Sequence, residues 1–325
     1  LQNTVVQTSY RLVRLRNGVC SVRSLAEDET FHPGIGPAME AEALYVRQLR
    51  LPERVRETSG EFVIWDVGLG AAANALMAIR LVREGLKTLA VGNRDNLRTP
   101  QRGVPTLKSI RVISFDYTSA AAAFALEHGA ELGYVAGYET ALAELVKNHS
   151  VKFGDDLLQV EWTLEPGDFP ALLISAREVQ PSPGFGATGA RPTQNELPAP
   201  HAILFDPYSP KKNPAMWTVP LFAGLFRQLD PQRPCALATF TRSTMARAAL
   251  LLGGFFVGVG HPSGLKEETT VAANRPDLLD EPLDRRWLER TKRSHSAEPL
   301  GGPVYRQAPL SPETRGKLRQ HLQFR

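Results

Sequence analysis

An open α/β sheet of the doubly wound kind is the fold the sequence predicts, on three observations. The segment EFVIWDVGLG runs from a continuous apolar stretch, Phe62 to Trp65, into a loop with Gly68 and Gly70, and AAANALMAIRLVREG behind it is strongly helical. Two more apolar runs, IRVISFD and HAILFD, end in aspartates, Asp116 and Asp206. Strands and helical stretches then alternate through residues 55–275 and close on two successive strands.

Along the chain, TSYRLVRL and VCSVRSL flank Asn17-Gly18, a strong hairpin turn, so residues 8–30 read as a β-hairpin that must lie on the body or on a partner. FHPGIG is a loop, and PAMEAEALYVRQL is a helix with Pro37 in its first turn. Gly85 is expected to end the helix after the glycine loop. Residues 86–109 read as loop with one short element, and helices are expected over 118–128 and 134–148. VKFGDDLLQVEWTL mixes loop and strand, and ALLISA is a short apolar run. The Pro/Gly-rich segment 177–200 reads as an insertion without regular structure. MWTVPLFAGLFRQL is helical despite Pro220; PCALATF, RSTMARAALLLGG, FFVGVG and ETTVAAN follow as strand, helix, strand and strand. Three parts result: an N-terminal hairpin-and-helix extension (1–54), the α/β domain (55–275) and a basic C-terminal extension (276–325).

Composition excludes several classes. Of 325 residues, 42% are hydrophobic and 22% charged, enough to fill a core. Two cysteines, Cys20 and Cys235, exclude a disulfide framework and a structural zinc cluster; Cys235 opens a strand and reads as packing. No signal-peptide pattern or membrane-length apolar run is present, so a soluble, cytoplasmic protein without a membrane partner is expected. The formal charge of +4 equals that of residues 275–325, with eleven Lys/Arg and seven Asp/Glu, and within it residues 285–325 hold ten Lys/Arg and three Asp/Glu. RRWLERTKRSH reads as a solvated terminal helix anchored by Trp287 and Leu288, or else suits RNA phosphates with Trp287 stacking on a base.

The loops carry the chemistry. In an open parallel sheet, ligands sit beyond the carboxyl ends of the strands, where Asp66, Asp116 and Asp206 fall. Gly68 and Gly70 let backbone pass close to a ligand, and the following helix can aim free N–H groups there. The run Gly68-Leu69-Gly70-Ala71-Ala72-Ala73 lacks the third glycine of a dinucleotide fingerprint, which ranks an NAD enzyme low. Asp116 suits the ribose hydroxyls of an adenosine cofactor, or else caps the helix starting near Ser119. Asp155 or Asp156 suits an adenine amino group, or else a turn. In DPYSPKKNP, Asp206 would orient an amine nucleophile, Tyr208 would pack on the acceptor, and Lys211 and Lys212 could meet phosphates; a rigid strand-end turn is the structural alternative. His32 and His261 lie in loops facing pocket regions, and Lys266 and Glu267 either enter the acceptor pocket or pair with each other. No metal-ligand spacing and no Ser/His/Asp or Cys/His arrangement is found.

Taken in order, FHPGIGPAMEAEALYVRQL, WDVGLGAAANAL, ILFDPYSPKKNPAMWT and GGFFVGVGHPSGLKEETTVA resemble the MnmC-like methyltransferase family, over residues 8–274. The resemblance implies a Rossmann-like S-adenosylmethionine-dependent methyltransferase sheet with an N-terminal β-hairpin extension. It also implies N-methylation of the 5-aminomethyl group of (2-thio)uridine 34 in tRNA. It makes Asp66, Gly68, Gly70 and Asn74 the cofactor loop, Asp116 the ribose acid, Gly154-Asp155-Asp156 the segment beside adenine, Glu40 a pocket acid, and Asp206 and Tyr208 the catalytic pair. Bifunctional members carry an FAD-dependent oxidase domain. The fifty residues after 275 are too few for one, so a separate enzyme would supply the aminomethyl precursor. The competing readings are methyl or aminopropyl transfer to a small amine, and a non-catalytic RNA-binding protein with a relic pocket. Oligomeric state is left open.

Overall fold

The computed structural model describes residues 9–95, 107–178, 197–264 and 266–325. Two sheets are present. The small one is antiparallel, β1 (Tyr10–Arg14), β2 (Cys20–Ser24) and β3 (Glu29–Thr30) in that order. It contains the predicted hairpin, with Tyr10 opposite Ser24, and adds a short third strand.

The large sheet has eight strands: β4 (Glu61–Val67), β5 (Lys108–Asp116), β6 (Ser150–Gly154), β7 (Leu158–Pro166), β8 (Ala202–Phe205), β9 (Ala236–Thr239), β10 (Phe256–Gly260) and β11 (Thr269–Ala273). Their order is β10-β11-β9-β8-β4-β5-β7-β6. Strands β7, β5, β4, β8 and β9 run parallel, while β6 and β11 are antiparallel to their neighbours. This is the α/β, Rossmann-like mixed sheet that the sequence predicts.

The apolar run in β4 has a simple cause: both of its faces are covered. Phe62 and Ile64 join one buried core and Val63, Trp65 and Val67 the other. The first core faces α1 (Pro37–Ala41, continued as a π-helix over Glu42–Arg47), α2 (Leu51–Glu57), α3 (Ala73–Asp95), α4 (Ala120–Glu127), α5 (Gly129–Leu132) and α6 (Glu139–Asn148). The second faces α7 (Phe169–Glu178), α8 (Val219–Arg227) and α9 (Thr244–Leu252).

Several local expectations change. Helix α3 does not stop at Gly85 but continues to Asp95, into the stretch read as loop. Gly85 is there for packing: a Cβ would lie 2.7 Å from Cβ of Pro52 on α2, so the glycine lets two helices approach. The apolar ALLISA is part of α7, and VKFGDDLLQVEWTL is the β6–β7 hairpin. Pro220 sits in the first turn of α8, where its missing N–H costs nothing, and the Thr218 hydroxyl accepts from Leu221 N–H at 3.2 Å. Most of the 177–200 insertion, and residues 96–106 of the earlier loop, lie outside the described residues.

The C-terminal extension packs against the second core through α10 (Arg285–Arg290) and α11 (Pro312–Arg319). The suggestion that Trp287 stacks on a nucleic acid base is corrected: its side chain is buried and stacks on Phe324, 9° from parallel. The Gln323 amide pairs with both N–H and C=O of Val257 at 2.7 Å, covering the open edge of β10. Among the described residues, no helix is long and apolar enough to cross a membrane.

Candidate active site

Because β4, β5 and β8 are parallel neighbours in register, their carboxyl ends coincide. Asp66, Asp116 and Asp206 therefore arrive at one edge of the sheet. A cavity of about 440 Å³ opens there, within the roughly 300–1,000 Å³ usual for small-molecule sites. Its floor is the loop 67–71 together with Asn74; its walls come from β3, the loop after it, the stretch after β5, and the Asp206–Ser209 loop.

The glycine loop is forced by its crossing of another strand end. Gly68 has φ +97°, and a Cβ on it would sit 2.6 Å from the Asp206 carbonyl oxygen. Its N–H and that of Leu69 donate to Phe115 C=O. Gly70 (φ +49°) donates its N–H to Asp116 Oδ2 at 2.9 Å, and Tyr134 OH holds the Ala71 carbonyl at 2.8 Å. The loop is thus fixed by the neighbouring strand before any ligand arrives.

The three aspartates have different surroundings. Asp66 is fully buried beneath the loop and does not line the cavity. Its Oδ2 accepts from Ser114 Oγ at 2.7 Å, which itself accepts from Trp162 Nε1, and its Oδ1 has no partner. Burial, reinforced by Asp206 and Asp116 against the Ser114 bond, pushes its carboxyl up to about 8. Asp116 lines the cavity, and burial raises it despite the N–H donors of Gly70 and Thr118. Asp206 also lines it, accepts from Asn74 Nδ2 at 2.8 Å, and is raised by burial although His32 and Asn74 favour its charged form.

Glu40, buried on α1, accepts the N–H groups of Gly34 and Ile35 through Oε1 at 2.7 and 3.1 Å. Gly34 is required for this, since a Cβ would stand 2.6 Å from that oxygen. Tyr208 sits against Phe31, ring centroids 5.9 Å apart, and burial lifts its hydroxyl to about 12, so it stays protonated. Ser209 donates through both N–H and hydroxyl to Glu29, which fastens the small sheet over this loop. Lys266 enters the cavity rather than pairing with Glu267: its Nζ donates to Phe240 C=O at 3.1 Å and lies 4.5 Å from that ring's centre. Lys211 and Lys212 are exposed, and His261 lies outside the cavity.

Asp155 and Asp156 are not brought to this site, which corrects the expectation that they lie beside adenine. The β5–β7 register pairs Lys108 with Leu158 and Asp116 with Pro166, so the turn before β7 lies at the opposite edge of the sheet. Asp155 caps that turn, accepting from Leu157 and Leu158 N–H, and pairs with Arg83. A second Gly-Asp pair, Gly167-Asp168, follows β7 at the correct edge. Gly167, Phe169 and Tyr117 line the cavity next to Asp116, and Tyr117 OH donates to Asp168 at 2.6 Å. The signal was present in EPGDF, a Gly-Asp directly behind a strand, as with Asp116 and Asp206.

These residues fit S-adenosylmethionine. Asp116 with Tyr117, Gly167 and Phe169 would hold the nucleoside end. Asn74 Oδ1, buried and without a partner, offers an acceptor to the amino acid end. Among the described residues no cluster of metal ligands occurs.

Residues 190–275 match the model of a family described as S-adenosyl-L-methionine-dependent methyltransferase. Fold, site and match together define the class: an S-adenosylmethionine-dependent methyltransferase. Its relatives are more particular. The chain is 25% identical over 255 residues to the tRNA 5-methylaminomethyl-2-thiouridine biosynthesis bifunctional protein MnmC of Aeromonas hydrophila, covering 77% of this chain and 33% of the relative. It is 25% identical over 284 residues to the protein of the same name from Vibrio vulnificus, covering 85% and 37%. The chain thus spans about a third of the length of these curated relatives. In fold it is similar to the crystal structure of MNMC2 from Aquifex aeolicus, with a TM-score of 0.58 at 19% identity over 98% of this chain and 85% of that one. Over most of its length the chain is thus similar to the MnmC proteins.

Proposed function

We propose that this protein N-methylates a primary amine on RNA, the 5-aminomethyl group of a wobble (2-thio)uridine in tRNA. The observation that carries the reading is the half-buried Asp206 carboxylate. It faces the cavity from the Asp-Pro-Tyr loop, with no Lys or Arg in ion-pair contact among the described residues. A carboxylate so placed suits a cationic amine that must bind, turn its lone pair inward and lose a proton.

S-adenosylmethionine, when bound, supplies a methyl group already activated by its sulfonium centre. The chain's own task is positioning. Asn74 donates to Asp206 Oδ2, fixing the orientation in which the carboxylate meets the amine. Tyr208 and Phe31 form the wall against which a flat ring can lie. The small sheet, fastened by Glu29 to Ser209, limits water at the reacting nitrogen. The MnmC relatives, named for 5-methylaminomethyl-2-thiouridine biosynthesis in tRNA, support the choice of acceptor.

The test is transfer of a labelled methyl group from S-adenosylmethionine to tRNA carrying 5-aminomethyl-2-thiouridine, followed by nucleoside analysis. Label in 5-methylaminomethyl-2-thiouridine is the expected result. Label in another nucleoside, or none with cofactor bound, refutes the acceptor.

A further inference from the structure

His32 stands between two carboxylates delivered by different elements. Its Nδ1 lies 3.7 Å from Glu40 Oε2 on α1, and its Nε2 lies 3.7 Å from Asp206 Oδ2 behind β8. The ring is only 10% exposed and lines the cavity. Its backbone is held at φ +47°, a left-handed conformation uncommon for a residue with a side chain. Beyond Pro33, Gly34 and Ile35 turn their N–H groups onto the other oxygen of the same Glu40. One carboxylate thus ties down the loop with Oε1 and faces the imidazole with Oε2. That is the arrangement by which an acid fixes a histidine tautomer, leaving the far nitrogen as the basic one.

We propose that His32 is the positioning residue that receives the acceptor's proton through Asp206, with Glu40 setting its tautomer. The inference rests on the reading that this cavity methylates an amine. The acceptor arrives as an ammonium. One N–H bond breaks, its electron pair stays on nitrogen, and the proton passes to Asp206 Oδ2 and on to His32 Nε2. The resulting imidazolium sits between Asp206 and Glu40 until it loses the proton to water at the cavity mouth. Both 3.7 Å gaps exceed a hydrogen bond, as catalytic contacts commonly do before substrate tightens them.

Every charged group facing His32 bears on its basicity. Burial pulls it down, but Glu40 from α1, Asp206 after β8 and Asp66 from β4 outweigh burial and raise it. Lys266, from the loop before β11, lines the same cavity, and burial lowers its own basicity. Tyr45, buried beside Asp206 and raised well above its ordinary value, stays neutral.

The test compares the pH dependence of methyl transfer in the wild type, His32→Asn and Glu40→Gln, with cofactor affinity measured for each. Asparagine tolerates the left-handed backbone and cannot take the proton. His32→Asn should lower kcat at least about tenfold at neutral pH, and the deficit should shrink as pH rises to about 9, where more of the amine arrives deprotonated. Cofactor affinity should hold. In Glu40→Gln the acidic limb of the profile should move to lower pH. A deficit equal at every pH, or a limb unmoved by Glu40→Gln, overturns the proposal. NMR titration of the His32 ring separates this from the choice of acceptor. If the wild type transfers no methyl to aminomethyl-uridine tRNA, the acceptor reading fails, and the titration alone decides on His32. A midpoint above the ordinary 6.5 that falls in Glu40→Gln supports the assignment; one at or below 6.5, or indifferent to Glu40, overturns it.

Discussion

The two edges of the large sheet treat carboxylates in opposite ways. At the edge where β4 and β7 begin, acids pair with arginines: Glu61 with Arg111 at 3.0 Å and Asp155 with Arg83 at 3.3 Å. Asp230, in the turn before β9, likewise has Arg233 at 3.3 Å. At the edge where the parallel strands end, Asp66, Asp116 and Asp206 are held by Ser114, Gly70 N–H and Asn74, with His32 as the one basic group in ion-pair range among the described residues. Burial raises all three. Three crowded, arginine-free acids are a poor way to stabilise a sheet and a good way to receive a cation. A sulfonium cofactor and an ammonium acceptor are both cations. The comparison predicts that changes at one edge act on chemistry and changes at the other act weakly on stability.

The largest effect should come from Asp206→Asn. The amide keeps the size and can still meet Asn74, but it cannot take a proton. Turnover should fall by roughly 10²-fold or more, the scale of a lost acid–base group. Cofactor affinity, read by calorimetry, should change little. Equal loss of both would mean that Asp206 binds the cofactor and not the acceptor.

How much of this was legible in the sequence depends on whether the signal was local. The strand–glycine–helix unit at 61–84 was legible because the apolar run, the glycines and the helix formers are contiguous. Asp116 and Asp206 were legible because each closes an apolar run. Asp155 and Asp168 show the limit: both follow a glycine next to β7, and only the β5–β7 register says which lies at the ligand edge. Gly85 read as a helix stop because its partner, Pro52, comes from another helix. The same holds for the Glu29–Ser209 clasp, whose partners are 180 residues apart. Trp287 and Leu288 as the anchor of a terminal helix were legible as one of two readings, but the partner Phe324, from another part of the extension, was not.

Asp116→Ala comes next in size. Loss of a charged acceptor for two hydroxyls is worth about 1.5–3 kcal/mol, so cofactor Kd should rise roughly ten- to a hundredfold. An unchanged Kd would remove Asp116 from the cofactor site. Asp66→Asn should instead show itself in stability against pH. Its carboxyl titrates near 8 when folded and near 3.8 in its ordinary state. Between those values the unfolded chain sheds a proton that the native protein retains. Stability conferred by the protonated form is therefore present at low pH and lost as pH rises through about 8. Denaturant unfolding across that window should slope downward in the wild type and less so in Asp66→Asn. Equal slopes would show that Asp66 is ionised in the fold.

The smallest effect is the most discriminating for the two edges. Asp155 is 38% exposed, and although its slight burial works the other way, Leu157 and Leu158 N–H and Arg83 hold its carboxyl below the ordinary value. Asp155→Ala removes a turn cap and a partly exposed ion pair, together about 1 kcal/mol of stability after solvent screening. Cofactor Kd and turnover should stay at wild-type values, because the turn lies at the opposite end of the nine-residue β5 from Asp116. The sharpest form of the measurement is cofactor Kd for Asp116→Ala and Asp155→Ala side by side. If both rise together, adenine reaches the 154–158 turn after all and the division of the sheet into a binding edge and a stabilising edge fails. If only Asp116→Ala responds, the Gly-Asp pair that serves the cofactor is the one behind β7, and Asp168→Ala, which frees Tyr117 from its 2.6 Å tether, becomes the substitution that locates the base.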